Sequence, residues 1–423
     1  MLHVVLSLRW AASVATAHNA EYSLAAVSMA PDAPAEIWAV SQGWGVIHSE
    51  DGGVSWAWLC DEGLSGGGGS FYDVEALGGG KALVAGTVGL FRVDPGCDGV
   101  ADAACVRTEL TGLPDSSYAG LIRRFGDQFL VSVYGTNDDG TDLNGAFLCT
   151  DTACAATSLT GPDLYVKSFT VDGATVWATT VTAESLAAGL WRSADGTTWE
   201  PVASWPAGSP DMRVLDARGD RLLVWAQTRN DLAPPGLQRS TDGGATWTEV
   251  VAFGYFTDQV PPVVRVGGSG ILLLGNNTLH VFQSIDDGAT WTDINEIHPE
   301  VPSLRCVSDD GGLVCGDHFA DGYDLARVVG ITFDAFACMD EAALDPALAD
   351  VCEPYYDDFT DKGALGGGEC EADLTPVESG GCGGGGADTA GLVVVGLGAL
   401  GRRRRHRPSI RYTFPANAPP SSL

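Results

Sequence analysis

Four arginines, Arg123, Arg213, Arg265 and Arg305, each fall in a short apolar run that opens a repeat of the chain. A guanidinium is planar and permanently charged, and it can grip a carboxylate or sulfate through two parallel hydrogen bonds. If the four converge, they form an anion pocket, for a carboxylate or a sulfated sugar. The favoured alternative is structural: each arginine pairs with a carboxylate or carbonyl of the neighbouring repeat. A second chemistry, glycoside hydrolysis, needs two facing carboxyl groups. The chain has 55 Asp and Glu, too many to pick a pair from the sequence, so no catalytic residue is assigned. A third, calcium binding, is suggested by the run Gly135-Thr-Asn-Asp-Asp-Gly-Thr-Asp-Leu-Asn-Gly145. It lacks the EF-hand spacing and the closing glutamate, so an acidic hairpin loop is favoured and calcium stays the alternative. The seven histidines are scattered, and no Cys/His cluster has zinc spacing. No metal ligand or cofactor is assigned.

Eleven cysteines in a chain rich in Gly and Asp fit an oxidising compartment. Their spacing suggests hairpin disulfides Cys97–Cys105 and Cys149–Cys154, a bridge Cys306–Cys315 across two strands, and a loop closed by Cys338–Cys352. Cys60, Cys370 and Cys382 are left over, so at least one cysteine is unpaired.

The net charge is −32. Seven of the 23 basic residues are Arg9, Arg402, Arg403, Arg404, Arg405, Arg407 and Arg411, all near the ends. Between Ala20 and Gly386 there remain 16 basic and 54 acidic residues, a net of −38. Such a body repels nucleic acid and anionic lipid.

The elements that would position these groups repeat. Ser49-Glu-Asp51-Gly-Gly53-Val-Ser-Trp56, Ser193-Ala-Asp195-Gly196-Thr-Thr-Trp199, Ser240-Thr-Asp242-Gly-Gly244-Ala-Thr-Trp247 and Ser284-Ile-Asp286-Asp-Gly288-Ala-Thr-Trp291 share one pattern. In such a turn Asp can accept backbone N–H groups, Ser adds a local bond, Gly supplies positive φ, and Trp folds back over the hairpin. The last two intervals are 47 and 44 residues, and the first is 144, three times 48. Two degenerate copies fill that gap, around Gly89–Asp94 and Gly145–Asp151, and a seventh unit without the pattern covers Leu304–Asp334. Each unit reads as four short strands. In the fourth they are Val166–Val171, Thr175–Thr180, Gly189–Arg192 and Trp199–Val202; in the fifth, Arg213–Asp216, Arg221–Trp225, Leu237–Arg239 and Trp247–Val250.

The Ser-x-Asp-x-Gly-x-Ser/Thr-Trp pattern resembles the Asp-box, or bacterial neuraminidase repeat, of sialidase-like and sortilin-like proteins. The resemblance implies an all-β fold: one seven-bladed β-propeller of four-stranded blades over residues 21–337, with Asp-box hairpins joining strands three and four. It places the four arginines on the innermost strands. Sialidases of this kind carry Arg-Ile-Pro before the first box. No Arg-Ile-Pro occurs here, and the first inner strand, Leu24–Pro31, has no arginine. Xyloglucanases of this kind use two tandem propellers, and this chain has room for one. The expectation is therefore a non-catalytic propeller that binds a surface glycan or protein ligand, or acts as a scaffold. A sialidase-like glycoside hydrolase is the alternative, and a structural coat protein the second.

The ends give an address. Residues 1–20 read as an imperfect signal peptide ending near Ala15-Thr-Ala17. Residues 338–386 form an acidic, Gly-rich linker containing cysteines. Residues 387–407 join an apolar segment to Arg402-Arg-Arg-Arg-His-Arg407, a short helical anchor with stop-transfer character, and 408–423 form a disordered tail. From Ser379 to Arg407 the pattern resembles the C-terminal sorting signals of myxobacteria: a Cys in a Gly-rich stretch, a weakly apolar helix, then an Arg cluster. That resemblance implies a sorting protease, an anchor on Cys382, and display at the outer membrane or cell surface of a bacterium. The tail thus makes a testable statement. Mass spectrometry of the mature protein from its host's membranes should find Cys382 modified and Arg402–Arg407 removed. An unmodified Cys382 followed by an intact arginine cluster would mark a plain membrane anchor instead.

Overall fold

The computed structural model describes residues 24–334, except 42–44, 53–55, 66–68, 95–105, 115, 184–187, 203–210, 228–235, 252–262, 266–271, 276–280, 294–304, 310–311, 317–323 and 328–330, and also Cys352. The expected signal peptide, nearly all of the expected linker, the apolar segment and the expected tail lie outside the described residues. The chain divides into two units, Met1–Val377 and Glu378–Leu423, of which only the first contains described residues.

Among the described residues there are seven four-stranded antiparallel sheets, spanning 24–59, 71–109, 116–161, 164–201, 211–251, 263–293 and 305–334. We number them one to seven. Every sheet is a meander, with strands adjacent in space in their chain order. The expected strands of the fourth sheet correspond to Leu164–Asp172, Thr175–Thr182, Ala188–Ser193 and Glu200–Pro201. The first strands of the seven sheets are Leu24–Ala30, Phe71–Ala76, Ser116–Phe125, Leu164–Asp172, Asp211–Arg218, Val263–Arg265 and Arg305–Asp309. Each packs against the first strand of the next sheet, and the seventh packs against the first. The architecture is a β-propeller.

The sequence forms these sheets because its second strands are apolar at nearly every position. A strand's side chains alternate between faces, and a strand buried on both faces reads as a continuous apolar run. Leu83 and Ala85 join the cluster shared with sheet three, whereas Ala82 and Val84 join the one shared with sheet one. Leu130 faces sheet four, and Phe129, Val131 and Val133 face sheet two. Trp177 packs with Met212 and Val214 of sheet five, while Val176 and Ala178 pack towards sheet three. Leu222 and Val224 face sheet four, and Leu223 and Trp225 face sheet six. The core is thus divided into clusters, one at each boundary from that of sheets one and two to that of sheets five and six. Glycines open several third strands. A side chain at Gly45 or Gly145, both at positive φ, would strike the backbone oxygen of Leu59 or Leu159 at 2.1 and 2.2 Å.

Two disulfides are described. Cys149 and Cys154 face each other across the hairpin of sheet three and are bonded. Cys352 is bonded to Cys60, not to Cys338. The expectation of a short Cys338–Cys352 loop followed nearness in sequence. The ring instead returns the chain to the end of sheet one, across 292 residues, with a Cα–Cα distance of 5.6 Å. The Cys60 N–H points at Cys352 Sγ, 3.3 Å away, and both residues are fully buried. Cys338 lies outside the described residues, as do Cys97, Cys105, Cys370 and Cys382. Cys306 and Cys315 stand directly opposite one another in register.

A bridge closing so long a loop removes chain entropy from the unfolded state, for about 2–5 kcal/mol. Cys60→Ser should therefore lower the melting temperature by several degrees, and reductant should destabilise the parent more than this variant. Equal melting curves with and without Cys60 would contradict the clasp.

Candidate functional site

The four repeated turns are built alike. In each, the Ser hydroxyl donates to the Asp carboxylate at 2.8–3.1 Å, and the Asp N–H returns to the Ser oxygen. In the last three the Ser oxygen also accepts a Gly N–H: Gly196, Gly244 and Gly288, at 2.9, 2.8 and 2.8 Å. Asp195 accepts the N–H groups of Thr197 and Thr198, and Asp242 accepts both N–H and hydroxyl of Thr246. Asp286 holds Thr290 in the same way. Gly53 lies outside the described residues; Ser49, Asp51 and Trp56 are described. The serines are buried and the aspartates reach solvent. These turns fix the tryptophans. Trp199 packs with Leu148 and Phe169, Trp247 with Leu190, and Trp291 with Leu223 and Trp225. Each of these three indoles thus lies on the boundary with the preceding sheet. The described serines and aspartates of these turns are engaged in local bonds.

A second set of bonds runs between first strands. Ser28 Oγ accepts the Ala76 N–H at 3.0 Å, Asp73 Oδ2 accepts that of Ile122 at 2.9 Å, and Ser168 Oγ accepts that of Val214 at 2.9 Å. In each case a side chain of one sheet satisfies the backbone of the next. The first strands of sheets one to five all break register with their second strands, a bulged geometry that leaves backbone groups needing such partners.

Two of the four arginines belong to this system. Arg123 Nη1 lies 2.6 Å from the buried carboxylate of Asp73, which sits on the neighbouring sheet. Arg213 Nη1 donates to the Lys167 carbonyl, also on the preceding sheet, at 2.9 Å. Arg265 and Arg305 are on first strands, but their side chains lie outside the described residues. Beside Arg123, Arg124 pairs with Glu75 at 2.9 Å. Burial nonetheless pushes the Glu75 carboxyl up to about 7.

The acidic run 135–145 closes on itself. Asp139 accepts the N–H and hydroxyl of Thr141, Asp142 accepts the Thr136 hydroxyl, and Asn137 N–H reaches the Thr141 carbonyl. Among the described residues no group of three or more His, Cys, Asp or Glu is placed to hold a metal ion.

The sequence reading missed a row of tyrosines. Tyr118, near the start of sheet three's first strand, stacks on Tyr134 with ring centroids 4.7 Å apart. Tyr134 stacks in turn on Tyr165, near the start of sheet four's first strand, at 5.4 Å. The Tyr134 hydroxyl donates to the Val166 carbonyl, tying the row across the boundary between sheets three and four. Burial pushes the Tyr134 phenol up to about 12. Burial also raises the Tyr118 phenol, with the phenols of Tyr165 and Tyr72 adding to it. Tyr118 is 43% exposed, and only Ile285 shares the status of a large exposed apolar side chain among the described residues. Lys167 lies two residues beyond Tyr165 on the same strand. Among the described residues no carboxylate lies within ion-pair distance of its ammonium group. The signal in the sequence was tyrosine recurring near the start of three consecutive first strands, as Tyr72, Tyr118 and Tyr165.

No family model matches the chain, and no curated protein matches it. Solved structures do. Puromycin hydrolase, as an S511A mutant complexed with PGG, superposes with a TM-score of 0.51 at 11% identity over 74% of this chain and 53% of its own. This chain therefore spans about half of that enzyme's length. YCF48 bound to D1 peptide gives 0.46 at 13% identity, covering 73% of this chain and 89% of its own. YCF48 from Cyanidioschyzon merolae gives 0.43 at 12%, covering 73% and 93%. The likeness to puromycin hydrolase is one of fold, the β-propeller, and at this identity extends no further.

The repeated turns carry a pH signature. Thr246, through its hydroxyl and its N–H, and the Ser240 hydroxyl hold the Asp242 carboxyl down at about 2. The N–H groups of Thr198 and Thr197 hold Asp195 well below the usual carboxylate range. A depressed folded pKa adds stability that is full above the unfolded value, near 4, and disappears as pH falls through the folded one. Melting temperature should thus drop between about pH 4 and pH 2, and Asp242→Asn should melt lower at pH 7 with a flatter acid limb. An acid limb unchanged by this substitution would contradict the assignment.

Proposed function

We propose that this chain is a non-catalytic, seven-bladed Asp-box propeller that presents a ligand-binding surface outside the cell. On this reading each of the seven sheets is one blade, and the four Ser–Asp turns are its Asp-boxes. The paired cysteines and the Arg-terminated tail support export and anchoring at a bacterial surface, with Cys382 as the attachment residue. The ligand is a surface glycan or protein.

One observation carries the binding reading: the stacked tyrosine row ends at Tyr118, which is 43% exposed. A half-exposed tyrosine held by a stack offers a partner apolar area and a hydroxyl together, at little cost in side-chain entropy. The two arginines with described side chains speak against a sialidase-like pocket, because Arg123 and Arg213 are engaged by the preceding sheet. A glycosidase would need such groups turned towards substrate together with two facing carboxyls.

The full chain should bind selected glycans on an array and show no turnover of a fluorogenic sialoside or of xyloglucan. Turnover abolished by Arg213→Gln would replace this reading with the hydrolase. Absence of any glycan or protein ligand would favour a structural coat role.

A further inference from the structure

We infer that Tyr118 and the acidic hairpin that follows Thr136 form one docking surface for a basic protein segment, with one cationic side chain on the tyrosine ring and another at the hairpin carboxylates. This rests on the binding reading above and names the chemistry of its partner.

Register places the two features together. Tyr118 stands opposite Tyr134, and Ser116 opposite Thr136, with no shift between the two pairs. Residues two apart on a strand share a face, so Thr136 lies on the face that carries the rings. It is the diagonal neighbour of Tyr118, a separation of about 7–8 Å that long side chains span. The Thr136 hydroxyl donates to Asp142 Oδ1 at 2.8 Å, which draws that carboxylate to the same face. Asp138 and Asp139 belong to the same hairpin, and all three aspartates are exposed. The ring is held as well. Tyr118 stacks on Tyr134, which is backed by Tyr165 and tied to the Val166 carbonyl. Tyr118 itself remains 43% exposed. Little side-chain entropy is lost when a partner meets a ring fixed in this way.

Charge selects the partner. Between Ser116 and Gly161 the only basic residues are Arg123 and Arg124. Asp73 and Glu75 of the preceding sheet hold them. Among the described residues no lysine or arginine lies within ion-pair distance of Asp138, Asp139 or Asp142. The hydroxyl and N–H of Thr141 keep the Asp139 carboxyl below the usual carboxylate range, so it stays ionised at neutral pH. The net charge of −32 draws cations towards the body. Screening limits the reach of a fixed charge to about 8 Å at physiological salt, so the carboxylates near the ring decide where a cation rests. A tyrosine ring attracts ammonium and guanidinium groups through its negative face. Among the described residues no three His, Cys, Asp or Glu are gathered to hold one metal ion. Carboxylates spread in this way suit separate cationic side chains on one flexible backbone. A neutral glycan would use the ring and gain nothing from the hairpin.

The test uses the full chain and a labelled hexapeptide of alternating arginine and glycine, followed by fluorescence anisotropy at physiological salt. The same hexapeptide with citrulline for arginine is the neutral control, and a glycan array is run alongside. The arginine peptide should bind, and the citrulline peptide should bind about tenfold more weakly. Tyr118→Ala should weaken the arginine peptide about fivefold, and Tyr118→Phe, which keeps the ring, should retain its affinity. Asp138→Asn with Asp142→Asn should weaken it about fivefold as well. Glu200→Gln with Glu249→Gln removes the same charge from sheets four and five and should change affinity by less than about twofold. An equal loss in this distant pair would mean that net charge alone attracts the peptide, and would overturn the inference. So would full affinity in Tyr118→Ala, or equal affinity for the two peptides. The substituted residues near the ring are exposed, so melting curves matching the parent's will confirm that the variants are folded. Failure of the arginine peptide to bind while a glycan binds on the array would overturn the inference and leave the general binding reading standing. Failure of every ligand would remove both.

Discussion

Everything in this protein depends on the boundary between one sheet and the next. A sheet of four short strands has two broad faces and cannot bury either by itself. Here the second strands are apolar on both sides, and each face meets a neighbouring sheet. Trp177 and Val176, adjacent in sequence, belong to different clusters because they point to different neighbours. Removing a sheet would expose an apolar face on each side of the gap. The ring must therefore close, and contact between the first and seventh sheets does close it.

The polar groups follow from that demand. Tightly packed boundaries leave backbone N–H groups without water, and an unpaired buried donor is costly. Ser28, Asp73 and Ser168 meet this need by reaching across to the next sheet. At the rim the same work falls to the Ser–Asp turns, which hold tryptophans against the preceding sheet. Sheet three has no such turn, and there Thr150 takes over part of the role. Its hydroxyl oxygen accepts the N–H groups of Thr152 and Ala153, while Cys149 and Cys154 bond on either side. A covalent staple and a hydrogen-bonded turn solve one problem by two chemistries. At the fourth box, Asp287 sits at positive φ and receives Arg218 and Arg221 from the preceding sheet. That binds the turn of sheet six to the sheet before it.

Much of this was legible because it is local. The boxes, the spacing of the units and the alternation of strands are patterns within about fifty residues, and the four-stranded sheets stand where those patterns put them. The Cys149–Cys154 pair is local too. Cys60–Cys352 was not legible, since nothing near either residue records that a ring returns to its start. The tyrosine row was missed for a related reason. Tyr118, Tyr134 and Tyr165 come from three strands of two sheets, and only the boundary brings their rings into contact. The arginines stand on first strands, and Arg123 and Arg213 make the favoured kind of bond, to a carboxylate and a carbonyl of the preceding sheet.

The arginines and Lys167 differ through geometry rather than charge. Asp73 sits where its carboxylate can accept both the Ile122 N–H and the Arg123 guanidinium, so one buried acid serves two donors of the next sheet. Arg213 reaches a carbonyl of the preceding sheet and so adds to the same boundary. A guanidinium suits this use, since it keeps its charge and offers several donors in a fixed fork. An ammonium group on a flexible stem has no such plane to match. Lys167 stands on the first strand of sheet four, two residues beyond Tyr165, and it is its carbonyl that serves the boundary. The two arginines with described side chains are thus spent on joining one sheet to the next.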